Sequence, residues 1–399
     1  WLTASGINPY LAQMEAYFAI FGGSSVLLNT PTGSGKSLVA LAAHFEALGR
    51  GERSIYTAPT KALVNEKFFD LCRKFGSANV GLLTGDASVN RDAPIVCCTA
   101  EILSNLAQVE GAARPFAWVV MDEFHYFSDK ERGIAWLLPL MLLDGAKFLL
   151  MSATIGEIFD AKTLVEALTG QTFEPVRSTD RPVPLVFSYK VATEREAIND
   201  LRDATMLPGY VVCVTRNEAA EKALAEPSSG GWSSKSVDLP EHVFTSPFGR
   251  QLKRALRAGI GLHHSGLLPK YRRLVENLSA ANELRLIFGT DTLGVGVNLP
   301  IRTVLFPQLV RNSGKNEYVR LGAARFQQLA GRAGRAGYAT QGGDPQGDVW
   351  VLAPEDEVER IKAAAKAAAK GGKAKKAAPK AAQRPGPKMP SWSEQTMQN

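Results

Sequence analysis

A chain of 399 residues with 45% hydrophobic and 21% charged side chains is long enough for two or three domains and apolar enough to bury a large core. That excludes a small stapled scaffold and disorder along most of its length. The formal charge of +7 is lopsided: ten of the 46 Lys and Arg lie in residues 360–388, where no acid occurs, which leaves 36 bases against 38 acids in residues 1–359. The basic character belongs to a tail. Four cysteines, two of them adjacent (Cys97 and Cys98 in PIVCCTA), form no disulfide framework and point to a reducing, cytoplasmic compartment. The longest uncharged apolar run, IAWLLPLMLL (134–143), is too short to cross a bilayer, so no membrane partner is expected. No signal peptide opens the chain, and Trp1 in place of Met points to a longer parent.

In chain order, short apolar runs that end in small or polar residues alternate with helical patterns: SSVLLNT (24–30), RSIYTAP (53–59), PIVCCTA (94–100), WVVMDE (118–123) and KFLLMSAT (147–154). This is the signature of βαβ units on a parallel sheet, whose ligands gather at the carboxyl ends of the strands. VRSTDRPVPL (176–185) reads as a linker, after which GYVVCVTR (209–216), GIGLHHSG (259–266), LRLIFGTD (284–291) and GDVWVLAP (347–354) repeat the pattern. The expected architecture is α/β, with one lobe over residues 1–180, a second over 181–358, and a basic, disordered low-complexity tail or linker over 359–399. PSSGGWSSKS (227–236) reads as an exposed loop.

TPTGSGKS (30–37) follows a strand and precedes a helical run, as a phosphate-binding loop requires. Thr32 lies within it, the backbone amides of Gly33, Ser34 and Gly35 can wrap phosphate oxygens, Lys36 can reach the β and γ phosphates, and Ser37 can ligate Mg²⁺. The first position is Thr30 where the strict pattern has Gly. MDEFH (121–125) ends a strand further on, where Asp122 can hold the Mg²⁺ shell and Glu123 can accept the proton of an attacking water. QQLAGRAGRAG (327–337) offers Arg332 and Arg335, three apart and able to share one face of a short helix, with Gln328 placed to orient water. An arginine brought to a γ-phosphate contributes roughly 10³ to 10⁵ in rate.

TPTGSGKS, APTKALVNEK, TGD, CTAE, MDEFH, MSAT, GTDTLGVGVN and QLAGRAGRAG stand in the order of motifs I to VI of superfamily 2 DExH-box helicases, which the chain resembles from residue 7 to about 354. HYFSDKERG after the DEFH box and GIGLHHSGLLPKYRRLVE in the second half make it look most like the Ski-type subgroup, and within it bacterial helicases that carry an uncharacterised extra C-terminal domain. The resemblance implies two RecA-like lobes with ATP and Mg²⁺ between them, Arg332 and Arg335 completing the site, and 3′-to-5′ movement on a single strand. It implies that Gln13 reads the adenine edge and that His125, Ser152 and Thr154 couple hydrolysis to movement. Gly294, Gly296 and Asn298 would face both nucleotide and track. Pro59, Thr60, Lys61, Gly85, Asp86, Thr99 and Glu101 match contacts to the nucleic-acid backbone in the first lobe, and Arg216 and Thr290 match such contacts in the second. Partners are therefore single-stranded or partly duplex RNA or DNA, with RNA favoured, and further C-terminal domains or proteins outside this chain. Backbone contacts of this kind carry no base sequence.

Three readings stay open. The segment between motifs V and VI, TVLFPQLVRN (303–312) and NEYVRLG (316–322) around Ser313, Gly314 and Lys315, is either a strand-separating β-hairpin or a plain strand–loop connection broken by Pro307. The Lys-rich run KAAAKAAAK (362–370), one face of a possible helix in a tail where regular structure is expected to stop near Arg360, is either a solvated linker or a salt-sensitive tether. A DNA repair helicase and a non-hydrolysing nucleic-acid clamp are the alternatives to an RNA motor; a P-loop kinase or transport ATPase would not need GRAGRAG or MSAT. His263 and His264 are adjacent with no metal-ligand spacing around them. Full Ski-type helicases continue with a winged helix and a ratchet domain, so the motor alone is expected to unwind poorly.

Overall fold

The computed structural model describes residues 6, 8–110, 115–154, 158–204, 206–229, 232, 239–290, 299–312, 317–334, 346–369, 390 and 392–398. The chain divides between Pro182 and Val183 into two compact units, each with its own sheet. In the first, α1 (Leu11–Phe21), β1 (Ser25–Asn29), α2 (Lys36–Gly49), β2 (Ser54–Ala58), α3 (Lys61–Phe75), β3 (Val80–Thr84), β4 (Ala87–Val89), β5 (Ile95–Thr99), α4 (Ala100–Glu110), β6 (Trp118–Asp122), α5 (Ile134–Leu142), β7 (Lys147–Ser152), α6 (Ile158–Thr169) and β8 (Phe173–Arg177) follow one another. The sheet order is β4-β3-β5-β2-β6-β7-β1-β8, parallel throughout except for the β3–β4 pair.

Strand residues alternate between two apolar clusters. Leu27, Val119, Met121 and Leu150 pack with α4 to α6 through Leu103, Trp136 and Val165. Val26, Leu28, Val120 and Leu149 pack with α1 to α3 through Ile20, Val39 and Val64. Cys97 and Cys98 fall one on each side, buried and free, which is why a Cys pair can sit in one strand without bonding.

The second unit runs through β9 (Leu185–Lys190), α7 (Glu194–Asp203), β10 (Gly209–Val212), α8 (Arg216–Ala225), α9 (Pro247–Arg257), β11 (Ile260–His263), α10 (Pro269–Ala280), β12 (Leu286–Gly289), β13 (Thr303–Phe306), β14 (Val310–Asn312), β15 (Tyr318–Arg320), α11 (Ala323–Ala330), β16 (Gly347–Leu352), α12 (Glu355–Ala369) and α13 (Glu394–Gln398). Its parallel sheet is ordered β11-β12-β10-β13-β16-β9. Thr193 and Thr215 open α7 and α8 with capping boxes closed by Glu196 and Glu218.

Several expectations are corrected. The linker over 176–185 is shorter, because Val176 and Arg177 belong to β8 and Leu185 starts β9. The run from 303 is divided: Thr303–Phe306 is a buried strand of the main sheet, and only Val310–Asn312 pairs, antiparallel, with Tyr318–Arg320. A hairpin ladder is therefore present, with its tip at 313–316 outside the described residues. Regular structure does not stop near Arg360, nor is the whole tail unstructured. Helix α12 continues to Ala369, since Ala and Lys are strong helix formers and Glu355, Asp356 and Glu357 suit its amino end. Residues 370–389 lie outside the description. Beyond them Trp392 is buried and donates to Leu352 O at 2.7 Å. In the loop expected over 227–236, residues through Ser229 form a short 3₁₀ turn (Glu226–Ser229). Trp232 is half-buried, its indole donating to Glu226 and facing the guanidinium groups of Arg202 and Arg285.

His44 on α2 is fully buried, with Nδ1 2.9 Å from Ser54 Oγ. Burial, helped by the charge of Lys67, pushes it down to about 3. The folded protein holds a neutral imidazole where the unfolded chain takes up a proton below its ordinary 6.5, so the stabilisation is complete above that pH and is lost as pH falls toward 3. Near pH 5 the loss is about 2 kcal/mol. His44→Gln is expected to flatten the fall of the first urea-unfolding midpoint between about pH 7 and 5; an unchanged slope would place the acid sensitivity elsewhere.

Candidate nucleotide site and nucleic-acid face

The phosphate loop leaves β1 and enters α2 through two glycines in the left-handed region, Gly33 (φ 87°) and Gly35 (φ 77°). Thr30, which broke the strict pattern, closes the loop with its hydroxyl 2.7 Å from Ser34 Oγ. The Lys36 ammonium rests on the carbonyl oxygens of Thr30 and Pro31 at 2.8 and 3.0 Å. Gln13, buried in the first turn of α1, donates its amide hydrogens to Ser34 O (2.9 Å) and Gly35 O (3.2 Å) and accepts from Tyr10 N (2.9 Å). Its amide thus holds the loop, and a bidentate reading of adenine requires it to release those carbonyls. A cavity of ≈ 180 Å³ opens beside Tyr10, Gln13, Lys36 and Arg181. A larger one of ≈ 540 Å³, beside Arg53, Phe116 and Asp144, lies at the amino ends of the strands and holds none of the expected residues.

Asp122 ends β6, and its carboxylate accepts from the Tyr56 hydroxyl and from Glu123 N (2.9 Å). Burial drives the Tyr56 hydroxyl well above its ordinary range, with Asp122 reinforcing the shift, so it stays a donor. Ser37 Oγ accepts from Lys67 Nζ at 3.0 Å, and that ammonium lies 5.6 Å from the centre of the Tyr56 ring. Tyr56 and Lys67 therefore bridge Ser37 to Asp122, and neither was picked out in the sequence. One carboxylate and one hydroxyl, both hard oxygen donors, suit Mg²⁺ in kind. Glu123 adopts the left-handed conformation (φ 57°), unusual for a residue with a Cβ. Its carboxylate lies 3.4 Å from His125 Nδ1, which is also 3.0 Å from Ser152 Oγ. Ser152, fully buried at the end of β7, accepts from Thr154 N through its hydroxyl and from Thr30 N through its carbonyl. The expected coupling residues of this unit are brought together.

The expected backbone-contact residues gather one strand over. Thr60 caps α3; Lys61 pairs with Asp86 at 3.0 Å beside Gly85, and Asp86 also accepts from Thr84. The Lys61 ammonium and then the Thr84 hydroxyl hold the Asp86 carboxyl below its usual range. Thr99 ends β5, and Glu101 takes Arg132 Nε (2.8 Å) and Nη2 (2.6 Å) on one oxygen. Burial works against the charge on Glu101, but its own backbone amide and Arg132 hold it ionised.

In the second unit Thr290 and Arg216 follow the neighbouring strands β12 and β10. Thr290 O accepts from the Tyr210 hydroxyl (2.6 Å). Gly266 packs so close to Arg216 that a Cβ there would lie 3.1 Å from its Nη1. Helix α11 ends at Ala330, so Arg332 does not lie on a helix as expected: it sits buried in the turn that follows. Gln328 accepts from Arg325 at 2.7 Å. Arg335, Gly294, Gly296 and Asn298 lie outside the described residues. His263 meets Glu276 at 2.8 Å.

A glycine-rich loop between strand and helix, with an acidic pair at the end of a parallel strand in the same sheet, defines a P-loop nucleotide-binding fold. Residues 10–161 match the DEAD/DEAH box helicase family and residues 239–337 the helicase conserved C-terminal domain. The chain is 30% identical to the probable helicase HelY of Mycobacterium leprae, over 83% of its own length and 44% of that protein's. It is 30% identical to Superkiller complex protein 2 of Homo sapiens (86% and 33%). It is 28% identical to the DExH-box ATP-dependent RNA helicase DExH15 chloroplastic of Arabidopsis thaliana (83% and 36%). The chain spans less than half the length of these curated relatives. It belongs to the superfamily 2 DExH-box helicases of the Ski type, with two RecA-like units. Among the described residues no helix is long and apolar enough to cross a membrane.

Proposed function

We propose that this chain is an ATP-hydrolysing motor that moves 3′ to 5′ along single-stranded nucleic acid, RNA in preference to DNA. One observation carries the reading. Along the first sheet the strand ends of β6, β7 and β1 bear Asp122, Ser152 and Thr30, and the adjoining ends of β2, β5 and β3 bear Pro59, Thr99 and Gly85. Nucleotide chemistry and backbone grip thus occupy neighbouring ends of one rigid sheet. RNA is favoured because a relative bears an RNA helicase's name.

In this reading Lys36 leaves its loop carbonyls for phosphate oxygens, and the amides of Gly33 to Lys36 wrap the rest. Ser37 and Asp122 would hold Mg²⁺, which when bound neutralises charge on the β and γ phosphates. Glu123 takes the proton of the attacking water at its carboxylate, Gln328 orients that water, and Arg332 and Arg335 offset the developing negative charge. His125, poised between Glu123 and Ser152, passes the change at the γ-phosphate to the end of β7.

The test compares ATPase rates without polymer, with single-stranded RNA and with single-stranded DNA of equal length. RNA is expected to stimulate most. A rate indifferent to all three overturns the motor, and stimulation by DNA alone moves the polymer assignment to DNA.

A further inference from the structure

HYFSDKERG marked the subgroup in the sequence, but nothing in the nucleotide chemistry uses its arginine. The structure shows how the segment is built. Phe124–Ser128 form a 3₁₀ turn, and Asp129 Oδ1 accepts from the backbone amides of Glu131 (3.0 Å) and Arg132 (2.9 Å), fixing the next turn. Gly133 lies against that turn so closely that a Cβ would come within 2.3 Å of Phe127 O and 2.6 Å of Asp129 O. Asp129 and Gly133 therefore hold the backbone on either side of Arg132 and fix where its side chain starts.

That side chain reaches across to three places. Its guanidinium donates to Glu101 through Nε and Nη2, and through Nη2 to Pro59 O at 2.5 Å, while the cation lies 5.8 Å from the centre of the Tyr126 ring. Tyr126 in turn lies 4.9 Å, ring centre to ring centre, from His125, whose Nδ1 meets Ser152 and Glu123. The ion pair is too exposed, with Arg132 at 35% and Glu101 at 46%, to matter much for stability. Its geometry is another matter. Pro59 follows β2 and leads into Thr60 and Lys61, and Glu101 lies in the first turn of α4 after Thr99. One planar guanidinium, suited to several fixed hydrogen bonds at once, clamps both segments to the turn that carries His125.

We infer that Arg132 is a positioning residue that locks the Pro59 and Glu101 segments to the DExH turn, so that a strand bound to those segments and the state of His125 bias each other. The inference rests on the proposed motor function and deepens it. In this role Arg132 acts through Pro59 and Glu101.

The test measures ATPase rate against single-stranded RNA concentration for the parent, Arg132→Ala, Arg132→Lys, Glu101→Gln and the double variant, alongside hydrogen exchange without ligand. Arg132→Ala is expected to keep the unstimulated rate and the KM for ATP within about twofold of parent, and to raise the half-stimulating RNA concentration roughly 3- to 30-fold. Lys keeps the charge but not the fork, so Arg132→Lys should recover only part of that shift. Glu101→Gln should shift it less when added to Arg132→Ala than when made in the parent. Exchange should quicken in a peptide covering 59–66 and stay unchanged over 36–49. A stimulation curve for Arg132→Ala that overlays the parent overturns the inference, as does a loss of unstimulated rate in step with melting temperature. A parent that no polymer stimulates refutes the motor itself. Quickened exchange with an unmoved stimulation curve refutes the coupling while leaving the motor standing.

Discussion

Glu123→Gln is expected to lower polymer-stimulated ATP turnover by about 10³-fold while leaving nucleotide affinity near that of the parent. The substitution keeps size and shape, so the left-handed backbone at φ 57° and the amide bond from Glu123 N to Asp122 Oδ1 are retained. What is lost is the carboxylate's ability to take a proton. The His125 ring, 3.4 Å from that carboxylate and 3.0 Å from Ser152 Oγ, then loses the charge beside it and keeps its contact with Ser152. Binding depends on the loop from Thr30 to Ser37, which the variant does not touch, so KM and turnover should separate. Single-turnover hydrolysis beside titration of a fluorescent ADP analogue measures both. Turnover close to parent would remove Glu123 as the base, and equal losses in both would mean that the turn at 123–125 had rearranged.

The parts of this site that were readable from the sequence are those whose chemistry is packed into a few consecutive residues. A loop such as TPTGSGKS carries its own geometry, and the strands before it and before MDEFH are buried on both faces, so they read as unbroken apolar runs. Edge strands obey different constraints. Pro175 in β8 lies at the outer edge of its sheet, where a missing N–H costs little, and β9 at the edge of the other sheet has no fully buried residue. The last two residues of β8 and the first of β9 therefore read as part of the linker. TVLF reads as one run with the hairpin arm beyond it, although Pro307 stands between them and burial on all four residues puts TVLF inside the main sheet. Composition misled at the tail as well, since an Ala/Lys run that reads as low complexity is also a good helix.

Long-range partners leave no such trace. Arg132 meets residues 31 and 73 positions away, and Tyr56 meets Asp122 66 positions away, with no periodicity to announce either contact. The same holds for Gln13, which a resemblance assigned to adenine and which the fold ties to the loop backbone. Motif order along the chain says which residues belong to a site. Strand order in the sheet decides which of them are neighbours.

Gly35 shows how tightly that loop tie is drawn, and Gly35→Ala is expected to cost nucleotide affinity at least tenfold. The residue caps α2 at φ 77°, where an L side chain is strained by about 1 kcal/mol, and its new Cβ would stand 2.3 Å from Gln13 Nε2. Gln13 can swing away, but only by giving up its bonds to Ser34 O and Gly35 O, each worth about 1 kcal/mol. Strain and lost bonds together amount to about 3 kcal/mol against the loop shape that wraps phosphate, and a variant that must regain that shape to bind loses tenfold in affinity for each 1.4 kcal/mol this costs. Gly33→Ala separates the two terms in the nucleotide-free protein. Its φ of 87° imposes the same kind of strain, yet nothing lies within 4 Å of its Cβ, so its melting temperature should fall less than that of Gly35→Ala. Adding Gln13→Ala should cost the Gly35→Ala protein less than it costs the parent, because the clash has already spent the amide's bonds. Strict additivity of the two substitutions in melting temperature would mean that Gln13 does not hold the loop, and parent-like ADP affinity in Gly35→Ala would mean that the loop does not hold the phosphates.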